Sequence, residues 1–205
     1  YGFSPAPLLQ ALKIAENTET IKIGTAAIIV PEWQPLRAAE EIAVLDHLTE
    51  GRIFCGVGRG YQPYEMGGFG IGLEESRPRF QEGIEVMMKA WREHKDWTFN
   101  GEYIKVEEPI TVFPKPYQKP YPPMWLAGSS EGSLKLAAEE DILPLTSSMM
   151  GMDAVSQQFA TYVRYRRDAG KSVDNLSMAL QCMTHCAPTM KDALDQLPYI
   201  RWQIR

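Results

Sequence analysis

Hydrophobic positions along the chain alternate between two periods. Ile21 to Val30 (IKIGTAAIIV) is apolar and β-branched, which predicts a buried strand. Pro35 to Thr49 follows with helical spacing, with Pro near its start and Gly51 just beyond its end. Arg52 to Gly58 (RIFCGVG) reads as a second short strand. Glu75 to Arg92 predicts a long helix that puts Phe80, Ile84, Met87, Met88 and Trp91 on one face. Residues 96–123 break the rhythm. Tyr103 to Val106 and Ile110 to Phe113 look like short extended pieces, Asn100-Gly101 is a turn signal, and Pro114, Pro116, Pro120, Pro122 and Pro123 forbid a helix. The rhythm then resumes. Met124 to Gly128, Ile142 to Ser147 and Leu176 to Ala187 predict strands; Glu131 to Glu140, Ala154 to Ala169 and Met190 onward predict helices.

Strands that alternate with helices imply an α/β protein with a parallel sheet. The pattern holds about five βα units, with the irregular stretch near 96–123 inserted between them. A closed (β/α)8 TIM barrel takes about 250 residues. The chain is therefore read as one domain over 1–205, a partial barrel truncated at both ends. An open doubly wound sheet is the alternative. Its nucleotide-binding signature is G-x-G-x-x-G, and Gly56-Val57-Gly58-Arg59-Gly60 offers only G-x-G-x-G.

Charge and cysteine content narrow the function. The net charge is −5 and no basic run occurs, so a nucleic-acid partner is not expected. No stretch approaches the ~20 apolar residues that span a bilayer, so a membrane is not expected either. The three cysteines make no disulfide framework and suit the cytoplasm. Cys182, His185 and Cys186 lie close together but within a strand-like run, and no second ligand pair exists elsewhere. No metal site is assigned.

Functional groups of parallel α/β proteins gather where strands end and helices begin. Four such places stand out. Gly24-Thr25-Ala26-Ala27 is a run of small side chains that lets a flat molecule lie close, although tight packing explains it equally. Arg59 stands between Gly58 and Gly60 and precedes Tyr61. Its guanidinium can fork onto a phosphate, or else pair with Glu65. Ser76 is placed to cap the long helix, and Arg77 opposes that helix's dipole unless an anion, Glu74 or Glu75 offsets it. Gly128-Ser129-Ser130-Glu131-Gly132-Ser133 offers hydroxyls and free N–H groups at a helix start; simple capping explains one serine, not three. Together these describe a phosphate site beside a flat floor, which suits a nucleotide or a flavin monophosphate. A sugar phosphate fits the phosphate but not the floor.

Several of these runs, in this order, resemble the bacterial luciferase-like monooxygenase family. They are Ile23 to Pro31, Pro35 to Glu41, Leu45 to Leu48, Gly51-Arg52, Gly56 to Gly60, Glu75 to Arg77, Pro122-Pro123 before the MWLAG strand, and Ser129-Ser130. The resemblance covers nearly the whole chain. It implies a (β/α)8 barrel with reduced FMN at its carboxyl face, O2 and an organic small molecule as co-substrates, and a flavin reductase as a partner. A homodimer is among the assemblies it allows. It implies a cis peptide at Ala26-Ala27 under the isoalloxazine ring and Gly58 beside that ring. Arg59, Arg77, Ser130 and Ser133 match phosphate ligands, while Ser129 and Tyr61 match backbone contacts. The family's active-site histidine precedes a motif resembling Tyr1-Gly2-Phe3, so it is expected upstream of Tyr1, and no catalytic residue is assigned here. His47 and His94 are read as helical and His185 as part of the last strand. Two alternatives remain beside FMN monooxygenation: hydride transfer with deazaflavin F420 on the same fold, and a flavin-binding protein without catalysis.

Overall fold

The computed structural model describes residues 5–182 and 184–199; Tyr1-Gly2-Phe3 lies outside them. One parallel sheet organises the chain. It comprises β1 (Ile23–Gly24), β2 (Ile28–Ile29), β3 (Ile53–Gly58), β6 (Met124–Ala127), β7 (Leu143–Ser147) and β8 (Ala179–Gln181). The spatial order is β1-β3-β6-β7-β8, with β2 also paired to β3. Neighbours in space are therefore successive along the sheet, and every crossover steps in the same direction. A doubly wound sheet reverses direction, so that alternative is excluded. The sheet is the curled half of a barrel.

The helices between strands match the sequence pattern closely. These are α2 (Pro35–Leu48), α4 (Ser76–Arg92), α5 (Glu131–Glu139), α6 (Met152–Asp168) and α7 (Met190–Asp195). The predicted stripe on α4 is fully enclosed: Phe80, Ile84, Met87, Met88 and Trp91 are all buried. They meet the small face of α2, where Ala38, Ala39 and Ala43 let the helices approach. The Trp91 Nε1–H donates to the Ala39 carbonyl at 3.0 Å, so burying the indole leaves no unsatisfied donor. Two helices lie outside the elements read from the sequence: α1 (Pro7–Glu16), which opens on a proline and buries Leu8, Ala11 and Ala15 at helical spacing, and the short α3 (Pro63–Gly68).

The excursion is a two-stranded antiparallel hairpin, β4 (Trp97–Asn100) with β5 (Lys105–Ile110), followed by irregular chain. The extended piece expected at 110–113 is thus displaced: the strand ends at Ile110. Two carboxylate anchors, one half-buried and one buried, hold the excursion. The Glu82 carboxylate on α4 accepts from the backbone N–H groups of Glu102, Tyr103 and Ile104 at 2.8–2.9 Å, and so caps the hairpin loop. Asp46 on α2, with no exposed surface, accepts from Gln118 N at 2.8 Å and Gln118 Nε2 at 2.7 Å. A buried carboxylate is tolerated here because both its oxygens are bonded.

Three further expectations need correction. The strand expected over 176–187 is confined to Ala179–Gln181, and Cys182, His185 and Cys186 follow it in exposed, non-strand chain. His94 lies two residues past the end of α4 rather than on it. Ser76 is the first residue of α4, not its cap.

Candidate active site

The first predicted strand is broken in its middle, and Thr25 explains the break. Its hydroxyl donates to the Gly56 carbonyl at 2.8 Å and accepts from the Gly56 N–H at 3.0 Å. One side chain thus takes the place of two ladder bonds, and the Thr25 backbone turns away. Its carbonyl oxygen then lies where a Cβ on Gly56 would sit, at 1.8 Å, so only glycine fits. The next peptide, Ala26-Ala27, is cis. Pairing to β3 resumes at Ile28, opposite Val57. A Cβ on Gly58 would lie 3.4 Å from the Ala27 Cβ and 3.6 Å from the Ala127 Cβ. Small positions on three neighbouring strands therefore sit side by side at the carboxyl end of the sheet. Trp125 is half-buried one step below, its ring 4.1 Å from that of Phe54.

Two arginines border this floor. Arg59 donates from Nη1 to the Ser76 Oγ at 2.9 Å, and the Ser76 hydroxyl donates in turn to the Leu73 carbonyl at 2.6 Å. Arg59 makes no ion pair with Glu65 among the described residues. Glu75 pairs with Arg79 at 2.8 Å, and neither Glu74 nor Glu75 pairs with Arg77 among the described residues. Among the described residues Arg77 has no hydrogen bond and no carboxylate. Its guanidinium instead rests on the first turn of α5, where a Cβ on Gly132 would meet Nη1 at 2.5 Å. A cation placed on the positive end of a helix is unfavourable by about 0.3–1 kcal/mol. An anion between the two reverses that sign.

The serines complete the same corner. Ser130 caps α5 by accepting from the Ser133 N–H at 3.2 Å, and the two hydroxyls lie 2.9 Å apart. Ser133 Oγ lies over Gly128, 2.7 Å from where a Cβ would be. Capping thus accounts for Ser130, while Ser129 and Ser133 remain available. Gly60 has φ +78°, and a Cβ there would press on Met66 and Ile29, so the turn after Arg59 is fixed by glycine.

A depression of about 240 Å3 opens at the carboxyl ends of β6, β7 and β8. It is lined by Ala26, Tyr61 and Ser129 from the sequence-predicted set, and also by Ala127, Gly128, Leu145, Thr146, Ser147, Met150 and Gln181. Of these seven, only Gly128 belongs to a run singled out in the sequence. The strand-end rule could have found Ser147, but the partners of Thr146 and Met150 are invisible in sequence. None of His47, His94 and His185 lines the depression, and His47 is bonded to the Lys115 carbonyl at 2.8 Å. Cys55 faces the core, and burial pushes its thiol up to about 12, so it stays protonated and inert. A larger groove, about 440 Å3, lies between α1 and α2, away from the strand ends.

Comparison with known proteins supplies the context for this geometry. The family model described as luciferase-like monooxygenase matches residues 1–205. The oxygenase component of a flavin-dependent trigonelline monooxygenase from Acinetobacter baylyi is 28% identical over 68% of this chain and 38% of its own length. A monooxygenase from Streptomyces bottropensis superposes with a TM-score of 0.87 at 26% identity, over 97% of this chain and 60% of that one. The oxygenating constituent of 3,6-diketocamphane monooxygenase from Pseudomonas putida, solved with FMN, superposes with a TM-score of 0.79 at 25% identity, over 94% of this chain and 56% of that one. The chain spans about half or less of the curated relatives it matches, from 38% to 53% of their length.

Proposed function

Because the chain belongs to the luciferase-like monooxygenase family, we propose that the protein carrying it binds FMN at this rim and oxygenates an organic small molecule with reduced flavin and O2. The observation that carries the reading is Arg77, a guanidinium without a carboxylate, set against the N-terminal turn of α5 beside Ser130 and Ser133. Arg59, held toward α4 by Ser76, supplies the second cation. Two cations, hydroxyls and free N–H groups fit a phosphate. The Ala27–Gly58–Ala127 floor fits a flat ring, because its side chains are no larger than a methyl group and a Cβ on Gly58 would make only ordinary contacts at 3.4 Å or more. Bound there, reduced flavin would supply the electrons that activate O2. The chain's own contribution is to hold the phosphate, to present a flat surface, and to keep water from the apolar floor.

The relative from Acinetobacter is named as an oxygenase component, which supports a separate flavin reductase as partner. The organic substrate and O2 enter from the open side of the depression. A titration with FMN and with F420 tests the cofactor. FMN is expected to bind with the higher affinity and to show its own absorbance on the protein. Preference for F420 would replace oxygenation by hydride transfer on the same rim. Flavin binding with no product in the presence of a reductase would leave a flavin carrier. Arg59→Ala is expected to weaken FMN binding by about 1.5–3 kcal/mol, the scale of a lost charged hydrogen bond.

A further inference from the structure

The segment after β7 holds a chemical feature that the cofactor site does not use. Ser148–Met150 form a 3-10 turn, and α6 begins at Met152. Met150 lines the depression and is half exposed. Its sulfur accepts a hydrogen bond from the Gln158 Nε2 at 3.3 Å. Gln158 projects from α6 and is buried, and its Oε1 accepts from the Thr146 hydroxyl at 2.5 Å. With that hydroxyl on the amide oxygen, the NH2 group turns to the sulfur. Three residues from β7, the turn and α6 thus fix the orientation of one thioether.

A thioether sulfur carries two lone pairs. Gln158 occupies one of them, which leaves the other for a reagent that enters the depression lined by Met150. We propose that Met150 is a modification site, oxidised by hydrogen peroxide to a single sulfoxide epimer whose oxygen projects into the depression. In the step, the free sulfur lone pair attacks one peroxide oxygen. The S–O bond forms as the O–O bond breaks, and the proton on the transferred oxygen passes to the other, which leaves as water. Sulfur loses two electrons and peroxide gains them. The product places a strong acceptor in the wall beside Ala127 and Gln181, and so changes the polarity of the site. The inference rests on the proposed function only for the origin of peroxide, which reduced flavin releases when O2 is consumed without substrate.

Met149, Met152 and Met190 are internal controls. All three are more exposed than Met150, and none has a hydrogen bond to sulfur among the described residues. The protein is treated with limiting hydrogen peroxide and then unfolded. Separate portions are incubated with each of the two methionine sulfoxide reductases, which reduce one epimer apiece, and the peptides are quantified by mass spectrometry. At the three controls each enzyme is expected to remove roughly half of the sulfoxide, whereas at Met150 one enzyme removes an excess of about four to one. Oxidation after unfolding in urea, and oxidation of Gln158→Leu, both return Met150 to parity. Parity at Met150 in the native protein overturns the proposal, and so does an excess that survives unfolding. The urea comparison needs no variant, so a misfolded Gln158→Leu does not rescue the idea. Absence of FMN binding would defeat the functional reading and leave the epimer result standing.

Discussion

Arginines occur at both ends of the sheet, in opposite circumstances. At the amino end of β7, Arg166 is 8% exposed and fully employed. It pairs with Asp141 and donates from Nε and Nη2 to the Ser172 carbonyl at 3.2 and 3.0 Å, while Lys171 adds a second bond to Asp141 at 2.5 Å. At the carboxyl end, Arg59 and Arg77 have no carboxylate among the described residues, although Glu65, Glu74 and Glu75 are near in sequence. Cations that serve the fold are paired within the chain. Cations left unpaired beside hydroxyls and a helix start are suited to an anion from outside. The same division runs along β3, where Gly56 is demanded by the Thr25 carbonyl and Gly58 is not demanded by any protein atom.

Substitutions can break that division. Gly56→Ala is expected to cost about 3 kcal/mol, because a backbone carbonyl must move, whereas Gly58→Ala should stay within about 1 kcal/mol. Urea unfolding of the two variants measures both, and equal losses would erase the distinction. Arg166→Ala should cost about 2 kcal/mol, because it removes a buried guanidinium that pairs with the exposed Asp141 and makes two backbone hydrogen bonds. By the same assay Arg77→Ala should lie within about 0.5 kcal/mol of the parent, the range of surface changes. A large loss there would give Arg77 a structural role after all.

The smallest expected effect is on pH dependence. Burial opposes ionisation of Asp141, but hydrogen bonds from Lys171 and Arg166 and their charges outweigh it and hold the carboxyl below its usual value. A depressed folded value means that the contribution is present above the unfolded value of about 3.9 and is lost as pH falls through the folded one. Unfolding stability should therefore drop below about pH 4, and Asp141→Asn should flatten that part of the curve.

Much of this architecture was legible in the sequence, and the parts that were not share a cause. The α4 stripe was legible because one helical period repeats over about three turns, from Phe80 to Trp91. The break between β1 and β2 was not, because a threonine hydroxyl replacing ladder bonds leaves no periodic trace. The last strand was overextended because apolar residues such as Leu180 suggested burial that they do not have. In the site, arginines beside glycines and a run of serines were visible locally. The seat of Arg77 on Gly132, the bond from Arg59 to Ser76, and the Thr146–Gln158–Met150 chain were not, because each joins separate elements.

In the proposed function the unpaired arginines hold a phosphate, and FMN compared with riboflavin isolates that group. Both ligands would be titrated against the parent protein and against Arg59→Ala/Arg77→Ala. The double variant should lose FMN affinity by roughly thirty-fold or more, the equivalent of about 2 kcal/mol, and keep its affinity for riboflavin. Unchanged FMN affinity, or equal loss for both ligands, would contradict a phosphate role for these arginines.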